Sequence, residues 1–307
     1  MLFKSLCLYK AHCEPPADAE ALEEAVYSQA IRPLGGSEAR RIGWTPPSGR
    51  GTSLFCVRPP GHIILSALRQ ERILPASVVR EEVESRVEEL ESSEARKLRR
   101  QERIAIKEQV YEELLPKAFI KTARIDLWWD IQRGMVGINA TSRSSAEQVL
   151  DLLRETLGSL KVTPLATQTL PMRAMTTWLS DPGSRAEDMV IGDQVELKAK
   201  GDDGVIRCRY LDLDTDEIQQ HLDAGRQVSR LAVAIDGQVS FVIESDLHLK
   251  SIRFDDQLIE DDRQELEDDS EAARFEADAI LMTQTLQHAV DRLVDWMGGT
   301  TSPDKAS

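Results

Sequence analysis

Hydrophobic and polar positions change rhythm several times along this 307-residue chain. "LFKSLCLYKA" roughly alternates, Leu6 and Leu8 against Phe3, Cys7 and Tyr9, which predicts a strand. "DAEALEEAVYSQA" places Leu22, Val26 and Ala30 at helical spacing behind an acidic first turn. Prolines and glycines in "RRIGWTPPSGRG" break regular structure, and "HIILSALRQERIL" reads as one strand or a hairpin pair ending at Pro75. From Ser77, a plausible N-cap, Val79, Val83, Val87 and Leu90 recur every three or four residues. A helix running to about Arg100 would be about 35 Å long. A second helical stretch with Ile106, Val110 and Leu114 stops at Pro116. The apolar stripe of this pair is thin, which predicts a partly solvated projection.

Beyond it, "AFIKTARIDLWWDIQRGMVGINAT" predicts a hairpin turning near Arg133-Gly134. "SAEQVLDLLRETLGSL" is an amphipathic helix closed by Gly158. A short helix follows in "MRAMTTWLSD", then two strands around Gly201–Gly204, a capped helix in "DTDEIQQHLDAG", three strands and a final helix. The order β-α-β-α-ββ-α-ββ-α-βββ-α predicts an α+β fold with mixed sheets, flanking helices and a projecting helical finger. The expected regions are 1–75 and 126–185 as two α/β parts of one central region and 76–125 as the finger with a basic tip. Residues 186–255 are expected to be β-rich with one helix, and 256–307 an acidic segment with a C-terminal helix.

Charge sharpens this picture. The chain carries a formal charge of -15, which repels bulk nucleic acid and anionic membrane unless a basic surface is strongly segregated. Yet "ARKLRRQERIAIK" sets Arg96, Lys97, Arg99, Arg100, Arg103 and Lys107 against the single acid Glu102. Three readings compete: a solvated helix face balanced by Glu89, Glu91 and Glu94, a membrane-surface helix, or a polyanion contact. Just downstream, Lys117, Lys121 and Arg124 flank Phe119. That ring either starts a core strand or stands at the end of a charged projection, where it could stack on a base while the cations hold phosphate.

Signatures of catalysis are scarce: Walker A, G-x-G-x-x-G, G-x-S-x-G and H-E-x-x-H are all missing. No metal or cofactor is expected. "DLDTDE" (Asp212–Glu217) begins like a calcium loop but has Glu217 at the glycine position, and reads as a helix cap. The acid run from Asp255 to Asp278 reads as a solvated loop and helix start. The four cysteines form no C-x-x-C pair, so a reducing cytoplasm is expected. No apolar stretch approaches the roughly 20 residues that span a bilayer, so no membrane partner is expected.

An ordered set of motifs resembles the RdgC family of recombination-associated proteins. These are "GWTPP" at Gly43–Pro47, "ILP" at Ile73–Pro75, "EARKLRR" at Glu94–Arg100, "LLPKAF" at Leu114–Phe119, "LLRETLGSL" at Leu152–Leu160, "GVIR" at Gly204–Arg207 and "RFEADAILMT" at Arg274–Thr283. The resemblance implies a non-enzymatic protein that binds single- and double-stranded DNA with little sequence preference. It also implies a ring-shaped homodimer with a basic central hole, association with the nucleoid, and restraint of RecA-driven recombination. Carried over by position, the DNA-binding residues would be Arg96, Lys97, Arg99, Arg100, Lys117 and Phe119 at the finger tip, with Lys121 beside them and Arg207 and Arg209 on the strand after Gly204. The chain departs from the family pattern in a start one residue shorter, in Tyr210 where a further lysine is common, and in Ala279. Two rivals stand beside this reading. One is a regulator that docks on the recombinase through its helical finger, and the other a metal-dependent nuclease using Asp255, Asp256 and neighbouring acids.

Overall fold

The computed structural model describes residues 3–48, 53–199, 201, 204–235, 237–255 and 271–301. Strand β1 (Ser5–Ala11) is followed by α1 (Ala19–Ser28), β2 (Arg40–Thr45) and β3 (His62–Ile73). Helices α2 (Ala76–Glu94) and α3 (Arg100–Leu114) and a 3-10 turn (Leu115–Lys117) lead into β4 (Phe119–Asp130) and β5 (Met135–Ile138). Then come α4 (Arg143–Leu157), β6 (Val162–Pro164), α5 (Pro171–Ser180), β7 (Met189–Lys198), β8 (Val205–Arg209) and α6 (Asp216–Asp223). Strands β9 (Gln227–Ile235), β10 (Val239–Glu244) and β11 (His248–Phe254) precede the last helix, α7 (Glu271–Trp296).

Instead of the expected mixed sheets, these strands form one eleven-stranded sheet, β2-β3-β4-β5-β1-β11-β10-β9-β7-β8 with β6 also on β1. Its strand pairs are antiparallel. The first strand joins the halves. One edge of β1 pairs with β5, while the other takes β11 along Ser5–Cys7 and β6 along Tyr9–Ala11.

Alternation along the central strands sorts side chains into two cores. Ile125, Leu127 and Trp129 join Cys7, Tyr9, Ile63 and Leu65 on one face, under α1 and α4. Trp128, Leu6, Leu8 and Ile64 enter the other, with residues of α5, α6, α7 and strands β7 to β11. Each such fully buried side chain stabilises the fold by about 1.5–3 kcal/mol. The amphipathic spacing of α4 buries Ala146, Val149, Leu150 and Leu153. Ser142 caps it by accepting from the Ser145 amide at 3.3 Å. Gly137 must be glycine: a Cβ there would lie 2.6 Å from Leu6 Cδ1 and 2.9 Å from Trp128 Cε3.

Long, even pairing of β3 with β4, from His62 opposite Asp130 to Ile73 opposite Phe119, makes "HIILSALRQERIL" a single strand. The finger is the connection of that hairpin. Helices α2 and α3 pack chiefly on each other, and their buried seam is thin: Val79 and Val87 on α2, Val110 on α3. Helix α2 starts at Pro75, not Ser77, because the Pro75 carbonyl already accepts from the Val78 and Val79 amides at 3.1 and 3.3 Å. It ends at Glu94, short of Arg100. Ala95 turns left-handed at φ 48°, and the Glu91 carboxylate takes the Leu98 amide at 3.0 Å, folding the chain back.

Candidate nucleic-acid interface

The tip of the finger, between α2 and α3, holds the basic run, and its cations are sharply divided. Arg96 grips Glu102 with two hydrogen bonds, 2.6 and 3.0 Å, and meets Glu94 at 2.6 Å. Glu91 takes Lys97 and Arg103, each at 2.7 Å. Hydrogen bonds from Lys97, the Leu98 amide and Arg103 pull the Glu91 carboxyl down to about 2. Those from Arg96 and the Arg99 amide do the same for Glu102. Arg99, Arg100 and Lys107 have no carboxylate partner among the described residues. Across residues 76–114, eight lysines and arginines stand against eleven glutamates, a net charge of -3. The cluster that looks basic in sequence is therefore half neutralised and sits on an acidic hairpin.

Lys117, Phe119 and Lys121 lie at the opposite end. Fifteen residues of α3 separate them from the tip, about 22 Å at 1.5 Å per residue, so the expected placement of Phe119 at the finger tip is corrected to its root. Both alternatives for this ring hold in part. Phe119 begins β4, opposite Ile73 of β3, and is nevertheless 86% exposed. Lys117 and Lys121 are exposed beside it. Arg124 is committed elsewhere, donating to the Pro46 and Pro47 carbonyls and to Asp126.

A third region has no counterpart in any run of sequence. Helices α5, α6 and α7 cover one face of β8-β7-β9-β10-β11. The other face carries Arg207 and Arg209 of β8 and Lys198 of β7. It also carries Arg230 of β9 and Lys250 and Arg253 of β11, as the pairings Glu196–Arg207, Glu196–Arg230, Glu244–Arg230, Val242–Lys250 and Ser240–Arg253 require. Glu196 and Glu244 are the carboxylates in register with them. Glu196 accepts from Arg207 and Ser229 at 2.8 Å each, while Glu244 meets Arg230 at 2.6 Å and Lys250 at 3.0 Å. Six cations face two acids, and Arg209 and Arg253 have no carboxylate partner among the described residues. Sequence reading found Arg207 and Arg209 but missed Lys198, Arg230, Lys250 and Arg253. Those four come from three separate strands, and Lys250 and Arg253 share a face only because a bulge shifts the β10-β11 register, which no local pattern signals.

The central strands also bring a serine, a histidine and a carboxylate together. Ser5 Oγ lies 2.7 Å from His248 Nε2, and His248 Nδ1 lies 3.7 Å from Glu244, a Ser-His-carboxylate line. Its serine and histidine are 6% and 4% exposed, and Nε2 also contacts the Ala140 carbonyl at 2.9 Å. The line ties β1, β11 and the segment after β5 together, with no room for a substrate. Burial pushes the neighbouring Cys7 thiol up to about 11, which keeps it protonated. No group of three or more His, Cys, Asp or Glu residues among the described residues is arranged to hold a metal ion. Asp256 and most of the acidic run lie outside the described residues. Among the described residues, no helix is long and apolar enough to cross a membrane.

Comparison with known proteins bears on the whole chain. A family model described as "Putative exonuclease, RdgC" matches residues 1–300. A recombination-associated protein RdgC from Mannheimia succiniciproducens is 38% identical over 297 residues, 97% of each chain. Its namesake from Actinobacillus succinogenes is 37% identical over the same shares. One from Salmonella typhimurium is 35% identical over 97% of this chain and 98% of its own. These relatives are named for recombination, and their names indicate no enzymatic activity. With the motifs in order, a match from end to end and identities above one third, this chain belongs to the RdgC family of recombination-associated proteins.

Proposed function

We propose that this protein binds single- and double-stranded DNA without sequence preference, and that it restrains RecA-dependent recombination by occupying the substrate strand. The observation that carries this reading is the open sheet face, where six cations stand against two carboxylates on a chain of charge -15. A rigid sheet holds those cations at fixed spacings, and cations in fixed array displace counterions from phosphate. Phosphate contacts carry no base information, hence the lack of sequence preference. As a homodimer closing into a ring, two such faces would line one hole, with the acidic surfaces outside and the protein associated with the nucleoid. Arg99, Arg100, Lys117, Lys121 and Phe119 are proposed to extend the contact from the finger, with Arg96 and Lys97 contributing less because glutamates already hold them.

Titrating a short labelled duplex across a salt series tests this. Affinity should fall with a log–log slope of about -0.9 per phosphate neutralised, and a flat response removes the electrostatic mechanism. Incubating supercoiled DNA with magnesium belongs to the same experiment: the proposed non-enzymatic role expects no nicks, and nicking would favour the nuclease reading.

One observation favours a second reading, docking on the recombinase. The outward stripe of α3 runs Arg100, Ile104, Lys107, Tyr111, with Ile104 and Tyr111 47% and 42% exposed. Ile104→Asp with Tyr111→Ser would abolish inhibition of strand exchange under docking, and leave it intact under substrate occupancy.

A further inference from the structure

The outermost strand of the basic half, β8, ends in Arg209 and passes at once into Tyr210. That residue sits in the left-handed backbone region at φ 58° and is 86% exposed. Left-handed backbone is uncommon for a bulky side chain and is kept where surrounding structure enforces it. Here the chain must leave the sheet edge sharply, and the turn presents the ring to solvent. No other ring packs on it among the described residues.

Beneath the ring lies a shallow groove of about 670 Å³. Ile191 and Leu211 line it with apolar surface, and Asp193, Asp212 and Asp214 line it with carboxylates. A bulge in β7 makes the space: the register against β9 shifts between Ile191 and Val195. Gly192 sits so close to Ala232 that a Cβ would come within 2.8 Å of it. Asp214 is held by Arg185 at 2.5 Å, while Asp193 and Asp212 are exposed.

This distribution of charge orients a nucleotide. Phosphate is drawn to Arg209, which has no carboxylate partner among the described residues, and is repelled by the aspartates that line the groove. The part of a nucleotide able to lie over Tyr210 is the uncharged base, against an aromatic face and two aliphatic side chains. In a duplex the base faces are already stacked and out of reach. We infer that Tyr210 and its groove take one unpaired base of a DNA strand whose phosphate rests on Arg209. The inference rests on the DNA-binding reading above and adds to it a site selective for single strands, ends and junctions.

The test compares wild type, Tyr210→Phe, Tyr210→Ala and Arg209→Gln on three probes: a 20-nucleotide single strand, the same length carrying abasic sites, and a relaxed, covalently closed circular duplex without ends or unpaired bases. Stacking on an aromatic residue is worth about 5–150-fold per base. Tyr210→Ala should therefore weaken the single strand about tenfold with an unchanged salt slope, and leave the abasic strand and the duplex unaltered. Tyr210→Phe should behave as wild type. Arg209→Gln should weaken all three probes and flatten their salt slopes. Equal single-strand affinity for Tyr210→Ala and wild type overturns the inference and leaves the DNA reading standing. So does an equal loss on intact, abasic and duplex probes. Binding too weak to measure on every probe with wild type overturns the DNA reading itself, and this inference with it.

Discussion

The finger and the open sheet face carry similar numbers of cations and use them differently. On the finger, Arg96, Lys97 and Arg103 are each held by a glutamate within 2.7 Å, and the hairpin as a whole is acidic. On the sheet, cations outnumber carboxylates three to one, and the two acids, Glu196 and Glu244, are shared among several partners. A helix that stands nearly alone in solvent is stabilised by its own i,i+4 and cross-helix ion pairs, so its charges face each other. A sheet packed on helices through its far face needs no such pairs and leaves its charges directed outward. Density of lysine and arginine along a sequence is thus a poor guide to surface potential. What counts is whether local structure brings acids within reach.

The largest expected effect breaks the sheet side of this contrast. Replacing Lys198, Arg209 and Arg253 together by glutamine leaves Glu196 and Glu244 with Arg207, Arg230 and Lys250, so no buried carboxylate is stranded. DNA affinity at low salt should drop about 100-fold and the salt slope should lose about 2.7 units; an unchanged slope would refute the sheet as the main contact. Next comes the finger: Arg99→Gln with Arg100→Gln should cost about fivefold and about 1.8 units of slope. A loss as large as that of the sheet triple would reverse the ranking. Smaller still, Glu91→Gln releases Lys97 and Arg103. Affinity should rise about threefold as two phosphate-competent cations come free, with looser protection of the Leu98 amide in hydrogen exchange.

The two regions should also part company in acid. His248 and His62 are buried neutral, burial pulling both below the ordinary histidine range against the opposing pull of the Ala140 carbonyl on His248 and of Asp130 on His62. The unfolded chain gains protons there below about pH 6.5, so the sheet loses stability as pH falls through that value. The carboxyls of Glu91 and Glu102 are also lowered, to about 2, but there the fold favours the charged form. Their contribution is complete above about pH 4.3 and disappears as pH falls toward 2. Hydrogen exchange at pH 6.5, 5 and 3.5 should show the sheet's protection eroding before that of the finger tip.

Much of the architecture was legible from periodicity. The strand in "LFKSLCLYKA", the hairpin turning at Arg133-Gly134, the helix closed by Gly158, and the helical pair after Pro75 all follow from local pattern. Its limits are just as specific. Ser77 is a good capping residue, but the Pro75 carbonyl had already started the helix. "EARKLRR" continues a helical charge pattern, yet Glu91 folds the chain back at Ala95. Phe119 follows the finger in sequence, and the length of α3 removes it from the tip. For the candidate interface, two residues came from the resemblance and four were invisible, because one or two cations on a strand leave no local signature. The single sheet was hidden for the same reason. Nothing near Ser5 announces its pairing with Lys250.

That pairing has a consequence for biosynthesis. Strand β1 leaves the ribosome before the other described strands but sits mid-sheet, its two edges waiting for β5 and, 243 residues after Ser5 in the contact of Ser5 with His248, for β11. At roughly 5–20 residues per second the gap lasts about 12–50 seconds. Throughout it, an apolar strand with at least one open edge must be kept from pairing with a neighbouring nascent chain. Closure so distant along the chain also slows folding. Cellular supply of this protein should therefore depend on holding chaperones, and a circular permutant opened between α5 and β7, in which β11 precedes β1, should shed that dependence.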